Sequence, residues 1–141
     1  MNKAQKVSLF LLRIGLGFFF FYAGFTKIID PSWSAAGYIG VAKNFTAFYQ
    51  ALLSPNLLPI INILNAWGLT LLGLSLITGL FTRLSAILGI VLMALYYLAL
   101  PLPYPNTHAL VIDDHIILIL ALLVIINFHA GKVWSLTKQT V

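Results

Sequence analysis

Four side chains in this sequence have types and spacing suited to moving protons. Lys27 lies near the end of a long apolar stretch, and Asp113, Asp114 and His115 follow one another further along the chain. A lysine–carboxylate pair beside a histidine is a suitable group for proton transfer. The two aspartates also have a purely structural use, because carboxylates at a helix N-terminus cap free N–H groups and interact favourably with the helix dipole. Both interpretations stay open on the sequence alone.

The first apolar stretch carries two cations on one helical face. A narrow stripe at helical spacing holds both cations and two glycines: Arg13, Gly17, Phe20, Gly24 and Lys27. Ionisable groups at membrane depth are costly and are usually paired or functional, so we expect the stripe to face neighbouring helices. Alternatively, Arg13 extends to one headgroup layer and Lys27 to the other, and the stripe only packs.

Amides and a histidine are candidate partners inside the bundle. Asn62 and Asn65 lie in the second apolar stretch, where an amide must find a hydrogen-bond partner, so both are expected to point inward. Asn127 and His129 lie close in depth to Arg13. We therefore predict that Arg13 faces the bundle interior near one of these two residues.

Two adjacent tyrosines, Tyr96 and Tyr97, lie near the end of the third apolar stretch. Together with Tyr104 and Trp33 they fit an aromatic belt at the membrane–water interface. Aromatic and amide groups in a cleft are also able to hold a quinone ring. The sequence leaves both interpretations open.

The composition shows what kind of elements must position these residues. Of the 141 residues, 61% are hydrophobic and 8% are charged, against about 45–50% and about 25% in soluble domains. Too few charges are present to build a water-facing surface. The net charge of +5 comes from basic residues at the ends of apolar stretches, which is typical of membrane topology signals, so no nucleic-acid partner is expected.

Metal and covalent cofactors are not expected. Cysteine is absent, which excludes disulfides, Cys-ligated zinc and iron–sulfur clusters within this chain. His115 and His129 would be about 21 Å apart on one helix, too far to share a metal or a haem.

Four stretches satisfy or approach the length of about 20 apolar residues that a membrane-spanning helix needs. We predict a single domain, residues 1–141, with spans at about 7–29, 57–80, 84–100 and 113–130. The last span needs a cap at Asp113 or Asp114 and a stop at Gly131 to be long enough. The predicted fold is an all-α integral membrane four-helix bundle.

The first loop is long and contains an amphipathic stretch between Tyr38 and Leu53. Its aromatic and aliphatic residues follow helical i, i+3, i+4, i+7 spacing from Phe45, so an amphipathic surface helix is predicted in this first extracytoplasmic loop. The alternative is an irregular cap packed over the bundle.

The distribution of basic residues predicts the orientation. One side of a four-span chain would carry most of them, namely Lys3, Lys6, Arg83, Lys132 and Lys138, and the other only Lys27 and Lys43. Both termini are therefore predicted to be cytoplasmic, in a multi-pass protein of the inner (plasma) membrane, with the first and third loops outside. Lys27 then lies level with the start of the fourth helix, and we predict that it pairs with Asp113 or Asp114, with Asp30 as the competing partner.

Several motifs in order resemble the DoxX/DoxD family, and the DoxD-like branch in particular. They are Arg13-Ile-Gly-Leu-Gly17, Tyr22-Ala-Gly-Phe-Thr-Lys27, Trp67-Gly-Leu-Thr-Leu-Leu-Gly73, Gly79-Leu-Phe-Thr-Arg-Leu84, Leu95-Tyr-Tyr-Leu-Ala-Leu-Pro101, Asp113-Asp-His115 and Ala130-Gly-Lys-Val-Trp134. The resemblance implies a four-helix membrane protein. The DoxD branch is named for a subunit of thiosulfate:quinone oxidoreductase.

Two classes of function follow from that resemblance. In the first, the chain is the membrane subunit of a quinone-linked oxidoreductase that takes part in the oxidation of a sulfur compound such as thiosulfate. It would bind quinone and need a partner subunit to supply electrons. In the second, it is a non-catalytic membrane scaffold or assembly factor whose polar stripe only holds the bundle together. A transporter is a weaker third alternative, and a homo-oligomer is compatible with each.

Overall fold

The computed structural model describes residues 1–101 and 110–136, and these residues form helices without any strand. The helices are α1 (Lys3–Ile29), α2 (Ala36–Ile39), α3 (Thr46–Leu52), α4 (Leu58–Thr78), α5 (Thr82–Ala99) and α6 (Asp114–Asn127), followed by a 3-10 turn at Ala130–Lys132. Helices α1, α4 and α5 are long and apolar enough to cross a membrane. The predicted all-α membrane bundle is confirmed. Most of the third loop and Lys138 lie outside the described residues.

The bundle is held by a close crossing of α1 and α4. A Cβ atom added to Gly73 of α4 would lie 2.2 Å from the backbone nitrogen of Phe21 of α1. A Cβ at Gly24 of α1 would lie 2.4 Å from the backbone nitrogen of Thr70. Only glycine allows the two backbones to touch in this way, as the small residues of the predicted stripe indicated.

The apolar residues divide between an interior and an outer surface. Phe20, Leu69, Leu76, Leu122 and Ile125 are almost completely buried between α1, α4, α5 and α6. Large apolar side chains also cover the outside, for example Phe18, Leu71, Leu88 and Leu120. Helices that are apolar both inside and outside are expected in a lipid environment.

Residues 30–57, here called the loop cap, close one end of the bundle. The last carbonyl groups of a helix lack partners within the helix, and the loop cap supplies donors to those of α5. The hydroxyls of Tyr38 and Tyr49 donate to the carbonyls of Tyr96 and Leu95, at 2.5 and 2.6 Å. The backbone nitrogen of Lys43 donates to Ala99 at 2.9 Å, and the Asn44 side chain donates to Leu100.

The surface helix predicted in this loop is present, but it is shorter than the amphipathic stretch. Helix α3 covers Thr46–Leu52 only, because Phe45 adopts a left-handed conformation with φ 49°. Phe45 and Phe48 point outward, whereas Tyr49 is buried. The predicted helix and its alternative, a packed cap, therefore each describe part of the loop.

Helix α6 ends at Asn127 rather than at the predicted Ala130. His129 has a left-handed φ of 50°, which interrupts the helix before the 3-10 turn. The 14 residues of α6 span about 21 Å, less than the ~30 Å of a typical hydrocarbon core. Its crossing of the membrane stays a prediction.

Candidate functional site

The sequence-predicted polar residues form two groups at opposite ends of the bundle. The termini end contains Arg13 and residues 128–136, and the loop end contains the loop cap together with Lys27, Asn65, Tyr96 and the start of α6. The two groups have different surroundings and are described in turn.

At the termini end, Arg13 is completely buried. Its guanidinium donates to the carbonyls of Ala130 at 2.5 Å, Val133 at 2.7 Å and Trp134 at 3.1 Å. The guanidinium carbon also lies 5.3 Å from the ring centre of Phe10. These contacts fasten the segment after α6 to α1, so we assign Arg13 a structural role.

The prediction that Arg13 faces the interior is confirmed, but its predicted partners are wrong. Asn127 is exposed and its amide donates to the carbonyl of Leu123 at 2.8 Å on its own helix. His129 is also exposed. The chain leaves the helix after Asn127, which turns backbone carbonyls rather than these side chains toward Arg13.

At the loop end the helices enclose a cavity of about 650 Å³. Its lining includes Lys27 of α1, Asn65 of α4, Leu95 and Tyr96 of α5, and Trp33 and Tyr38 of the loop cap. Small-molecule sites are typically apolar clefts of about 300–1,000 Å³ with a few well-placed polar groups. This cavity fits that description.

Asn65 and Tyr96 form the polar centre of the cavity. The amide nitrogen of Asn65 donates to the Tyr96 hydroxyl. Asn65 is 8% exposed, and its side-chain oxygen has no hydrogen-bond partner among the described residues. A buried unpaired acceptor costs free energy unless a ligand or water completes it. Rotation of the amide exchanges its oxygen and nitrogen, so the pair is able to offer the cavity an acceptor or a donor.

Lys27 supplies a cation at the cavity wall. Its ammonium donates to the carbonyl of Ala23 at 2.8 Å and lies 5.3 Å from the ring centre of Trp33. Within residues 1–101 and 110–136 it forms no ion pair, so the predicted pairing with Asp113 or Asp114 is wrong.

The competing partner Asp30 does not bind Lys27 either. Its carboxylate accepts hydrogen bonds from the Ser32 hydroxyl at 2.6 Å and from the Ser32 backbone nitrogen at 2.9 Å. These bonds hold the pKa of Asp30 below its ordinary value. The ammonium of Lys27 therefore keeps donor capacity that a ligand in the cavity is able to use.

Asp113 and His115 form a pair at the start of α6. One Asp113 oxygen lies 2.6 Å from Nδ1 of His115, and the other accepts from the backbone nitrogen of Ile116 at 3.1 Å. The ring of His115 meets that of Tyr96 edge-on, with centres 6.0 Å apart. The structure thus shows Asp113 as a helix cap and as a partner of His115, without the lysine of the predicted proton-transfer group.

The same region brings possible metal ligands together, which histidine spacing did not indicate. Ligand atoms of Asp113, Asp114 and His115 lie within 4.8 Å of one another. Both oxygens of Asp113 already accept hydrogen bonds within the protein, and the Asp114 side chain is 80% exposed. These contacts are explained by capping and pairing alone.

The two tyrosines lie inside the bundle rather than in an aromatic belt. Tyr96 lines the cavity, and Tyr97 is 9% exposed with its hydroxyl donating to the carbonyl of Val111 at 2.8 Å. Burial raises the pKa of Tyr38 above its ordinary value, so this hydroxyl stays protonated as a donor.

Sequence analysis did not identify Tyr38 as a cavity residue. The aromatic residues that recur in the loop were a signal, but only the fold shows which of them turn inward.

Asn62 serves a different role from Asn65. Its side-chain oxygen accepts from the backbone nitrogen of Ala35 at 2.8 Å and so ties the loop cap to α4.

Comparison with known proteins gives one match. A family model described as DoxX matches residues 8–101, two thirds of the chain, from α1 through α5. The match includes Lys27, Asn65 and Tyr96 and ends before Asp113. No curated protein and no solved structure matches the chain.

Proposed function

The chain belongs to the DoxX family, and on that premise we propose that it is the membrane subunit of a quinone-linked oxidoreductase. The cavity at the loop end is the proposed site of the quinone ring. A partner subunit supplies electrons, and the resemblance to the DoxD-like branch makes thiosulfate the proposed donor. The protein lies in the inner (plasma) membrane with both termini in the cytoplasm, as the basic residues predict.

The unpaired oxygen of Asn65, in a cavity that Lys27 also lines, carries the proposal. A quinone ring presents two carbonyl acceptors, and the quinol presents two hydroxyl donors. Lys27 is a donor for the oxidised form, and the Asn65 oxygen is an acceptor for the reduced form. The surrounding aromatic rings of Trp33, Tyr38 and Tyr96 are able to pack against a planar ring.

Conversion of a quinone to a quinol needs two electrons and two protons. The chain has no cysteine and no recognisable redox motif, so the electrons come from the donor substrate on the partner subunit. Protons reach the ring from the side of α6, where Asp113 orients His115 next to Tyr96. Asp114 lies 3.4 Å from His115 and is exposed, which links this pair to water.

Ligand titration tests the ring site. The chain has three tryptophans, and Trp33 alone of these lines the cavity. In a Trp67→Phe/Trp134→Phe background, decylubiquinone should quench Trp33 with saturation. A chain that keeps only the outward-facing Trp67 measures the non-specific quenching by quinone dissolved in the micelle.

The contribution of the amide is tested by Asn65→Ala. We expect an affinity loss of about tenfold, because the ligand loses one buried hydrogen-bond partner. Asn127→Ala removes an exposed amide at the other end of the bundle and is the matched control. Equal affinity of the Asn65→Ala and unsubstituted chains would refute the assignment.

The activity itself requires the native assembly. Purification from native membranes followed by identification of associated proteins and lipid-soluble molecules should yield quinone and a partner subunit. That assembly should then reduce quinone when thiosulfate is added. An associated complex without turnover or bound quinone would favour the second candidate, a scaffold, which the purely structural contacts of Arg13 support.

A further inference from the structure

The cavity at the loop end reaches the outer surface of the bundle on one side. Its lining includes Phe48 of α3, Leu64 of α4 and Leu95 of α5, whose side chains are 50%, 63% and 38% exposed. Asn65, the residue after Leu64, is buried. The cavity therefore extends from a polar interior to an apolar mouth between these three helices.

The roof of the cavity is fixed. The loop cap is joined to the end of α5 through Tyr38, Lys43, Asn44 and Tyr49, as described above. It is also joined to α4 through Asn62. Lifting the loop cap would break these contacts together, so a ligand that enters without disturbing the fold must pass through the side.

We propose that this mouth is a lateral portal from the bilayer, and that the ligand is a quinone with a long apolar tail that stays in the portal. This inference rests on the proposed function and specifies its substrate class. The polar ring lies at Lys27 and Asn65, and the tail lies against Leu64, Leu92 and Leu95. Water-soluble quinones without a tail cannot make the apolar contacts with these leucines.

The portal is tested with two ligands that differ only in the tail. Decylubiquinone and its parent ring without the decyl chain are titrated against the chain that carries Trp33 as its sole tryptophan. The tail should strengthen binding by at least about tenfold. A Leu64→Phe/Leu95→Phe variant narrows the mouth and should remove most of that advantage, while binding of the parent ring stays within about twofold and so shows that the variant is folded.

The matched control is Leu71→Phe/Leu88→Phe, which adds the same bulk to outward-facing positions that do not line the cavity. It should leave both affinities unchanged. Equal affinity of the unsubstituted chain for the two ligands, or an equal loss of both in the narrowed variant, overturns the portal but leaves the ring site standing. Absence of saturable Trp33 quenching by either ligand overturns the ring site and the portal together.

Discussion

Arg13 and Lys27 are the two cations of one helical stripe, yet the structure gives them different surroundings. Arg13 is enclosed by backbone carbonyls of the segment after α6. Lys27 is half-buried at the wall of the cavity, and its ammonium donates one hydrogen bond to a backbone carbonyl of its own helix. The first is a structural contact, and the second leaves capacity for a ligand.

Replacement of Arg13 by Leu should destabilise the protein by about 3 kcal/mol, because three buried or part-buried hydrogen bonds to backbone carbonyls are lost. Thermal unfolding of the purified chain in detergent measures the change. Lys43→Leu, which removes an exposed cation of the loop cap, is the control and should be nearly neutral. Equal unfolding temperatures for the two variants would show that the Arg13 contacts contribute nothing.

Exchange of the charges of Lys27 and Asp113 should not restore stability. Asp113→Lys loses a helix cap and the contact with His115, which costs about 1 kcal/mol for the cap alone. Since Lys27 does not contact Asp113, the Lys27→Asp/Asp113→Lys double variant should show the sum of the two single losses. Recovery of stability in the double variant, measured by thermal unfolding, would mean that the two residues are paired after all.

The sequence predicted which residues turn inward better than it predicted their partners. Arg13 was recognised because a cation in an apolar helix needs an interior. Its acceptors were missed because they are backbone carbonyls. Every residue has a backbone carbonyl, so the residue types at positions 130–134 do not indicate which carbonyls accept. The prediction of a Lys27–Asp113 pair was wrong because Asp113 contacts His115, which lies only two residues further along the chain.

At the scale of elements, both ends of the bundle use the same solution. Near the end of α5 and in the segment after α6, backbone carbonyl groups accept hydrogen bonds from side chains that are distant in the sequence. Apolar runs predicted the long helices closely. The end of α6 was missed because it depends on the left-handed conformation of His129, which no residue type there demands.

The crossing of α1 and α4 is tested by Gly73→Ala. The new methyl group would meet the backbone of Phe21 at 2.2–2.5 Å, so the helices must separate, and we expect a loss of about 1–3 kcal/mol. Gly68→Ala on the same helix meets nothing within 4 Å. It should be neutral or slightly stabilising, because alanine favours helix. Denaturant titration of both variants checks the difference, and a similar effect of the two would mean that the close approach is not required.

At the scale of the whole molecule, residues 134–136 contact α1 and the end of α4. Trp134 lies against Phe10 with ring centres 5.3 Å apart, and the backbone nitrogen of Leu136 donates to the carbonyl of Thr78 at 3.0 Å. The described part of the C-terminal segment therefore lies at the same end of the bundle as the start of α1. This arrangement agrees with an even number of crossings, although α6 is short.

The orientation in the membrane is predicted to place both termini in the cytoplasm. Lys3, Lys6, Arg83 and Lys132 belong to the termini end, against Lys27 and Lys43 at the loop end. An alkaline phosphatase fused to the C-terminus, which is active only outside the cytoplasm, should therefore be silent, and a fused green fluorescent protein should fluoresce. The opposite pattern would show that α6 does not cross or that the orientation is reversed.

The contacts of Arg13 have a consequence for biosynthesis. Ala130 follows Arg13 by 117 positions, so a ribosome delivers the cation to the bilayer long before it makes the acceptors. Until then the guanidinium of Arg13 lacks these acceptors. An incomplete chain therefore differs from a complete one in carrying a cation without its hydrogen-bond partners. A chain stopped after Phe128 keeps every long helix and lacks all three acceptors. In a pulse-chase experiment it should be degraded faster than a chain stopped after Leu136, and equal half-lives would show that the cell does not sense the difference.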